Sequence, residues 1–308
     1  MLKKALQGDI RAFSRLITHI ESRSARALKL MPEIYDARKG AKYIGITGPP
    51  GSGKSTIVDQ LIAQLRNKDN KIGILAIDPS SPFSGGAVLG DRIRMQRHAT
   101  DTGVFIRSLG SRGSHGGLSR ATRDIAWCMD AAGFDWIIIE TVGVGQTELD
   151  IMEIAATVVV VLVPEAGDTI QTMKAGLTEI ADIFVVNKAD RAGADQMANW
   201  LCASVEMDAK DWKAPVILTN AILGEGIEEL YGKISDHLKF VRSDKNHLRR
   251  QEETRMAEFL DMCREELGKI LADKISKSKT LSNLMSDVAS GKENPYRAIK
   301  KVLGSVLP

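Results

Sequence analysis

The stretch Gly48-Pro49-Pro50-Gly51-Ser52-Gly53-Lys54-Ser55-Thr56 decides the fold. Before it runs Tyr43-Ile44-Gly45-Ile46-Thr47, short and mostly apolar; after it an amphipathic stretch continues through Leu65. The spacing G-x-x-x-x-G-K-[ST] between a strand and a helix is that of a phosphate-binding loop. Glycines allow successive backbone N–H groups to turn inward on phosphate oxygens. The helix that follows presents its positive N-terminal end to the same anion. This reading places Gly48, Pro50, Gly51, Ser52, Gly53 and Thr56 around a polyphosphate. Lys54 reaches the β- and γ-phosphates, and the Ser55 hydroxyl ligates Mg²⁺.

Further apolar runs follow at Ile72 to Ile77, Val104 to Ile106, Trp136 to Ile139, Val158 to Val163, Ile183 to Val186 and Val216 to Leu218. Most are separated by helical patterns. Strands that are continuously apolar rather than alternating indicate a parallel sheet covered on both faces. Strands alternating with helices indicate a doubly wound α/β domain, here residues 41–242. Ile10, Phe13, Leu16, Ile17 and Ile20 recur at helical spacing, so residues 1–40 read as a helical extension. After residue 242 the strands stop, and 243–308 reads as a charged helical extension broken near Gly291 and Pro295. Within it Met256, Leu260, Cys263, Leu267 and Ile270 alternate spacings of four and three, with Phe259 and Leu271 widening the stripe. Such a stripe either packs on its own domain or pairs with a second copy.

Asn187-Lys188-Ala189-Asp190 follows an apolar strand and matches N-K-x-D. The Asp190 carboxylate can accept from guanine N1–H and the exocyclic amine, donors that adenine does not offer there. Asn187 would hold the loop and reach the base, with the Lys188 stem along the ring. Thr219-Asn220-Ala221, after the last strand, stands where a second base-contacting loop is expected. Asp78 and Glu140 end strands, and Asp91 lies in Leu89-Gly90-Asp91-Arg92. Carboxylates at the C-terminal edge of a parallel sheet face the crevice where such folds bind ligands. Asp78, Asp91 and Glu140 are therefore candidate Mg²⁺ acids, with Asp78 and Glu140 also assigned to hydrolysis. Gly143 would give its N–H to the γ-phosphate, and Gln146 is a candidate for orienting water.

Composition narrows the field. The 308 residues are 44% hydrophobic and 26% charged, with 42 Lys and Arg against 39 Asp and Glu. That is an ordinary globular balance, and it gives no support to a nucleic-acid binder. Three scattered cysteines (Cys128, Cys202, Cys263) argue against disulfides and cysteine-based zinc. The longest apolar run, Ala155 to Pro164, is too short to span a bilayer. The N-terminal stretch has neither a secretory core nor a transit-peptide pattern, so the expected compartment is a reducing cytoplasm.

The segments PSSPFSGGAVLGDRIRM, SRGSHGGLSRAT, ETVGVGQTE and EIADIFVVNKAD go beyond a generic GTPase. They closely resemble the MeaB/ArgK family, the G-protein chaperones of adenosylcobalamin-dependent methylmalonyl-CoA mutase. The resemblance is dense from Gly45 to Gly226. It implies a SIMIBI-class P-loop G domain with helical extensions, GTP or GDP with Mg²⁺, and usually a homodimer. It also implies GTP hydrolysis coupled to loading and protection of an adenosylcobalamin-dependent acyl-CoA mutase, cobalamin being met only through that partner. Lys54, Ser55, Asp78, Asp91 and Glu140 match the family's phosphate and magnesium positions. Gln171 and Lys174 match polar positions of its extra switch. Two alternatives are a nickel-insertion GTPase and a transport-linked kinase. Five scattered histidines argue against the first, and the guanine motif argues against the second.

Overall fold

The computed structural model describes residues 1–78, 96–98, 100–110, 120–141, 151–164, 178–207 and 211–306. Within these, seven strands form one sheet: β1 (Lys42–Thr47), β2 (Ile72–Asp78), β3 (Val104–Gly110), β4 (Trp136–Thr141), β5 (Thr157–Leu162), β6 (Ile183–Asn187) and β7 (Val216–Thr219). The order is β3-β2-β4-β1-β5-β6-β7, and each pairing is parallel. This is the doubly wound α/β architecture expected from the sequence. Because β1 sits between β4 and β5, the loop after it opens at the centre of the C-terminal sheet edge.

The continuously apolar strands divide their side chains by period two. Ile44 and Ile46, Trp136 and Ile138, and Val159 and Val161 join one buried cluster. It is closed by α5 (Lys54–Arg66) and α9 (Ile227–Ser243), through Ile57, Leu61, Leu65, Leu230 and Ile234. Ile137, Ile139, Val158, Val160, Phe184 and Val186 join the cluster on the opposite face. There they meet α6 (Arg120–Ala132) and α8 (Ala194–Glu206), α7 being the single turn Thr178–Ile180.

Residues 1–40 supply four helices, α1 (Leu2–Leu6), α2 (Ile10–Glu21), α3 (Ala25–Leu28) and α4 (Met31–Asp36). Asp9 caps α2 by accepting the Ala12 N–H at 2.9 Å. Phe13, Leu16, Ile17 and Ile20 are buried against the α6 face, while Ile10, the first residue of that stripe, is 55% exposed. The join to β1 is held by Asp130 of α6, a buried carboxylate. Its Oδ1 accepts from the N–H groups of Lys39, Gly40 and Ala41 at 2.8, 2.9 and 3.1 Å. Its Oδ2 accepts from the Tyr43 hydroxyl at 2.9 Å. Burial, reinforced by the Asp130 charge, pushes the Tyr43 hydroxyl well above the ordinary phenolic range. These helices and the sheet form one compact unit, Met1–Ser243.

A second unit, Asp244–Pro308, consists of helices joined at Ser278 and by a turn over residues 290–294. It comprises α10 (Lys245–Lys277), α11 (Lys279–Ala289) and α12 (Pro295–Val306). Ser278 caps α11, its hydroxyl accepting the Leu281 N–H at 3.4 Å. Along α10 the apolar stripe is open: Met256 is 60% exposed, Leu260 46%, Leu267 60% and Ile270 47%. No helix among the described residues is long and apolar enough to cross a membrane.

Candidate functional site

The loop after β1 is shaped by glycines at two close approaches. Gly48 has φ +139, and a Cβ there would come 2.0 Å from the Val161 carbonyl oxygen of β5. Gly53 caps α5 at φ +90, where a Cβ would lie 2.2 Å from Asn187 Nδ2. Other residues would be both strained and blocked there. Lys54, 7% exposed, folds its ammonium back to donate to the Gly48 and Pro49 carbonyls at 2.8 and 3.0 Å. The Ser52 hydroxyl is buried with no hydrogen-bond partner among the described residues. An orphan hydroxyl, a buried ammonium and the N-terminal end of a 13-residue helix together suit a polyphosphate.

The Ser55 hydroxyl donates to Glu140 Oε1 at 2.5 Å, across 85 residues of sequence. Parallel pairing creates this contact, since β4 lies directly beside β1 and Ile46 registers with Glu140. Two hard oxygen donors, both buried, fit Mg²⁺, which usually takes one or two protein ligands and fills its octahedron with water and phosphate. Thr141, the next residue, donates from Oγ1 to Thr47 Oγ1 at 2.8 Å and locks the two strand ends together. The backbone of Asp78 ends β2, the other neighbour of β4. The Asp78 side chain, and the whole of Asp91, Gly143, Gln146, Gln171 and Lys174, lie outside the described residues.

Beyond the P-loop, on the β6–β7 side, a pocket of about 280 Å³ is lined by Gly53, Thr56, Asn187, Lys188, Asp190, Arg191 and the run Asn220 to Leu223. The structure thus brings Asn187-Lys188-Ala189-Asp190 and Thr219-Asn220-Ala221 together at the ends of neighbouring strands. Asn187 is buried and its amide is committed to the protein itself. Nδ2 donates to the Ser52 carbonyl at 2.8 Å, and Oδ1 accepts from Thr219 Oγ1 and the Ala221 N–H at 3.0 and 3.2 Å. Asn187 therefore joins three loops. Lys188 adopts φ +58, and Asp190 is an exposed carboxylate in the turn that follows.

Two features escaped the sequence reading. Gln60 of α5 donates from Nε2 to the Ala221 carbonyl at 3.0 Å. Asp59 of α5 pairs with Arg97 at 2.5 Å and with His98 Nε2 at 2.9 Å. Neither belongs to a motif, and each contact needs the tertiary fold to appear.

The profile described as Methylmalonyl Co-A mutase-associated GTPase MeaB matches residues 13–276. The chain belongs to the MeaB family. Relatives agree along its length. One from Pyrococcus horikoshii, named for a GTPase, is 45% identical over 100% of this chain and 98% of its own. GTPase ArgK of Escherichia coli is 33% identical, covering 76% of this chain and 74% of its own. The mouse protein named methylmalonic aciduria type A homolog, mitochondrial, is 35% identical over 73% of this chain and 59% of its own. Among solved structures, one described as LAO/AO transport system kinase superposes with a TM-score of 0.72, covering 100% of this chain and 96% of that one at 21% identity. That likeness shows the fold. This MeaB-family chain is a P-loop GTPase.

Proposed function

We propose that this GTPase serves an adenosylcobalamin-dependent acyl-CoA mutase, gating the loading of the mutase's cofactor and protecting the enzyme. The observation that carries the reading is the match of residues 13–276 to a family described as mutase-associated. GTP or GDP occupies the crevice at the C-terminal sheet edge. The P-loop amides and Lys54 hold the phosphates. Asp190 reads guanine, on a loop that Asn187 ties to the P-loop at 2.8 Å. Ser55 and Glu140 would hold Mg²⁺, which supplies charge neutralisation at the β- and γ-phosphate oxygens when bound. Asp78, Asp91 and Gly143 complete the hydrolytic set, and Gln171 and Lys174 carry the nucleotide state to the mutase. Cobalamin is handled through the partner, and both proteins work in the cytoplasm.

Hydrolysis by the isolated protein should be slow, of order 10⁻⁴–10⁻² s⁻¹, as for G proteins whose transition-state charge is incompletely neutralised. Single-turnover GTP hydrolysis should be measured with and without an adenosylcobalamin-dependent acyl-CoA mutase from the same organism. The expected result is at least tenfold acceleration. Failure of every such mutase of that organism to bind the protein or change its rate would reject the proposal.

The same reading includes a homodimer built from the second unit. Leu260 and Leu267 on the α10 stripe are 46% and 60% exposed. A two-fold axis would bury the same stripe from each subunit. Leu260→Asp with Leu267→Asp should give a monomer that still binds GDP, because the residues lining the nucleotide pocket all precede 224. Sedimentation equilibrium checks it: a wild-type monomer at tens of micromolar, or a double mutant that stays dimeric, contradicts the seam.

A further inference from the structure

We propose that Gln60 is a positioning residue for guanine binding, holding the base-side loop to the helix that holds the phosphates. This rests on reading the pocket beside Asp190 as the guanine site. Gln60 lies on α5, whose first residues are Lys54 and Ser55. Its Nε2 donates to the Ala221 carbonyl at 3.0 Å, bridging 161 residues of sequence. The Ala221 N–H donates to Asn187 Oδ1 at 3.2 Å. Both backbone polar groups of Ala221 are thus taken by side chains from two different elements. Asn187 in turn donates to the Ser52 carbonyl at 2.8 Å. The contacts close a ring: P-loop, Asn187, Ala221, Gln60, and α5, which runs covalently back into the P-loop.

Within the loop the backbone is braced on itself. Asn220 and Glu225 exchange N–H···O bonds of 3.2 Å each, and the Leu223 N–H donates to the Asn220 carbonyl at 3.1 Å. Apolar packing does little to seat the part beyond Ala221, since Ile222 is 80% exposed and Leu223 68%. The loop therefore behaves as a small rigid piece, and hydrogen bonds to Asn187 and Gln60 set its distance from the P-loop. Removing the Gln60 donor frees one of these two ties. Base and phosphate contacts are then no longer presented at one fixed separation, and affinity falls because the nucleotide must order the loop itself. The phosphate chemistry, set by Lys54, Ser55 and Glu140, is left in place.

The test uses the full-length protein with GDP, GTP and ADP. Gln60→Leu removes the amide; Gln60→Glu keeps its shape but sets a carboxylate against the Ala221 carbonyl. Both should raise Kd for GDP and KM for GTP about fivefold or more, the size of one neutral hydrogen bond. The kcat should stay within twofold and the melting temperature of the nucleotide-free protein within a few degrees. A role in packing alone would spare Gln60→Glu, and should Gln60→Leu not fold, Gln60→Glu carries the test. If wild type binds GDP no better than ADP, the guanine reading falls and the proposal with it. If wild type selects GDP but the variants keep its Kd within twofold, the role of Gln60 alone is overturned. A fall in kcat parallel to the rise in KM would also overturn it, because the defect would then sit at the phosphates.

Discussion

Replacing Asp190 by asparagine is expected to cost GDP affinity by a factor of 10² or more and to relax or invert the preference for guanine nucleotides. In the proposed complex the carboxylate accepts two hydrogen bonds from the base, each worth about 1.5–3 kcal/mol when one partner is charged. Asparagine keeps one acceptor and turns a donor toward a donor on guanine. The same change should favour xanthosine diphosphate, whose carbonyl replaces the exocyclic amine. The backbone around residue 190 is held independently of its side chain. The Ala189 N–H donates to the Thr219 carbonyl and the Arg191 N–H to the Lys188 carbonyl, both at 3.0 Å. The variant should therefore fold normally, and calorimetric titration with GDP, ADP and xanthosine diphosphate reads specificity alone. Equal binding of GTP and ATP by the wild-type protein would defeat the assignment.

Lys54→Ala should abolish hydrolysis. Loss of one preorganised charge or donor at the centre of developing negative charge typically costs 10²–10³ in rate. Here the loss is compounded, because the Lys54 ammonium also ties the Gly48 and Pro49 carbonyls at 2.8 and 3.0 Å and so shapes the loop. Nucleotide binding should weaken together with turnover. Single-turnover assays at GTP concentrations far above the wild-type Kd separate the two losses, and a thermal melt confirms the fold. Full activity in this variant would remove the P-loop from the catalytic site.

The legible part of the site was local in the chain. Gly48, Gly53, Lys54 and Ser55 fall within eight consecutive positions, and their backbone conformations and helix start follow from near-neighbour stereochemistry. Asn187 and Asp190 were readable for the same reason, although the commitment of the Asn187 amide to Ser52, Thr219 and Ala221 was not. Gln60 left no signal in the sequence, because a glutamine on a half-buried helix face has many possible partners. The α10 stripe was readable as a stripe; its exposure at Leu260 and Leu267 emerged only from the folded chain.

By itself the sequence determined the class of fold, the phosphate loop, the N-K-x-D turn after β6 and the alternation of helix with strand. These depend on periodicity and on residues adjacent in the chain, where covalent geometry and two-face burial leave few options. Tertiary structure decided the strand order, which sets β4 and β5 against β1 and so brings Glu140 to Ser55. It also decided that Asp130 would gather the amides of residues 39–41 and that Gln60 would meet Ala221. Those contacts span tens to more than a hundred residues. Their partners become neighbours only when the packing of both sheet faces has chosen one arrangement of the strands.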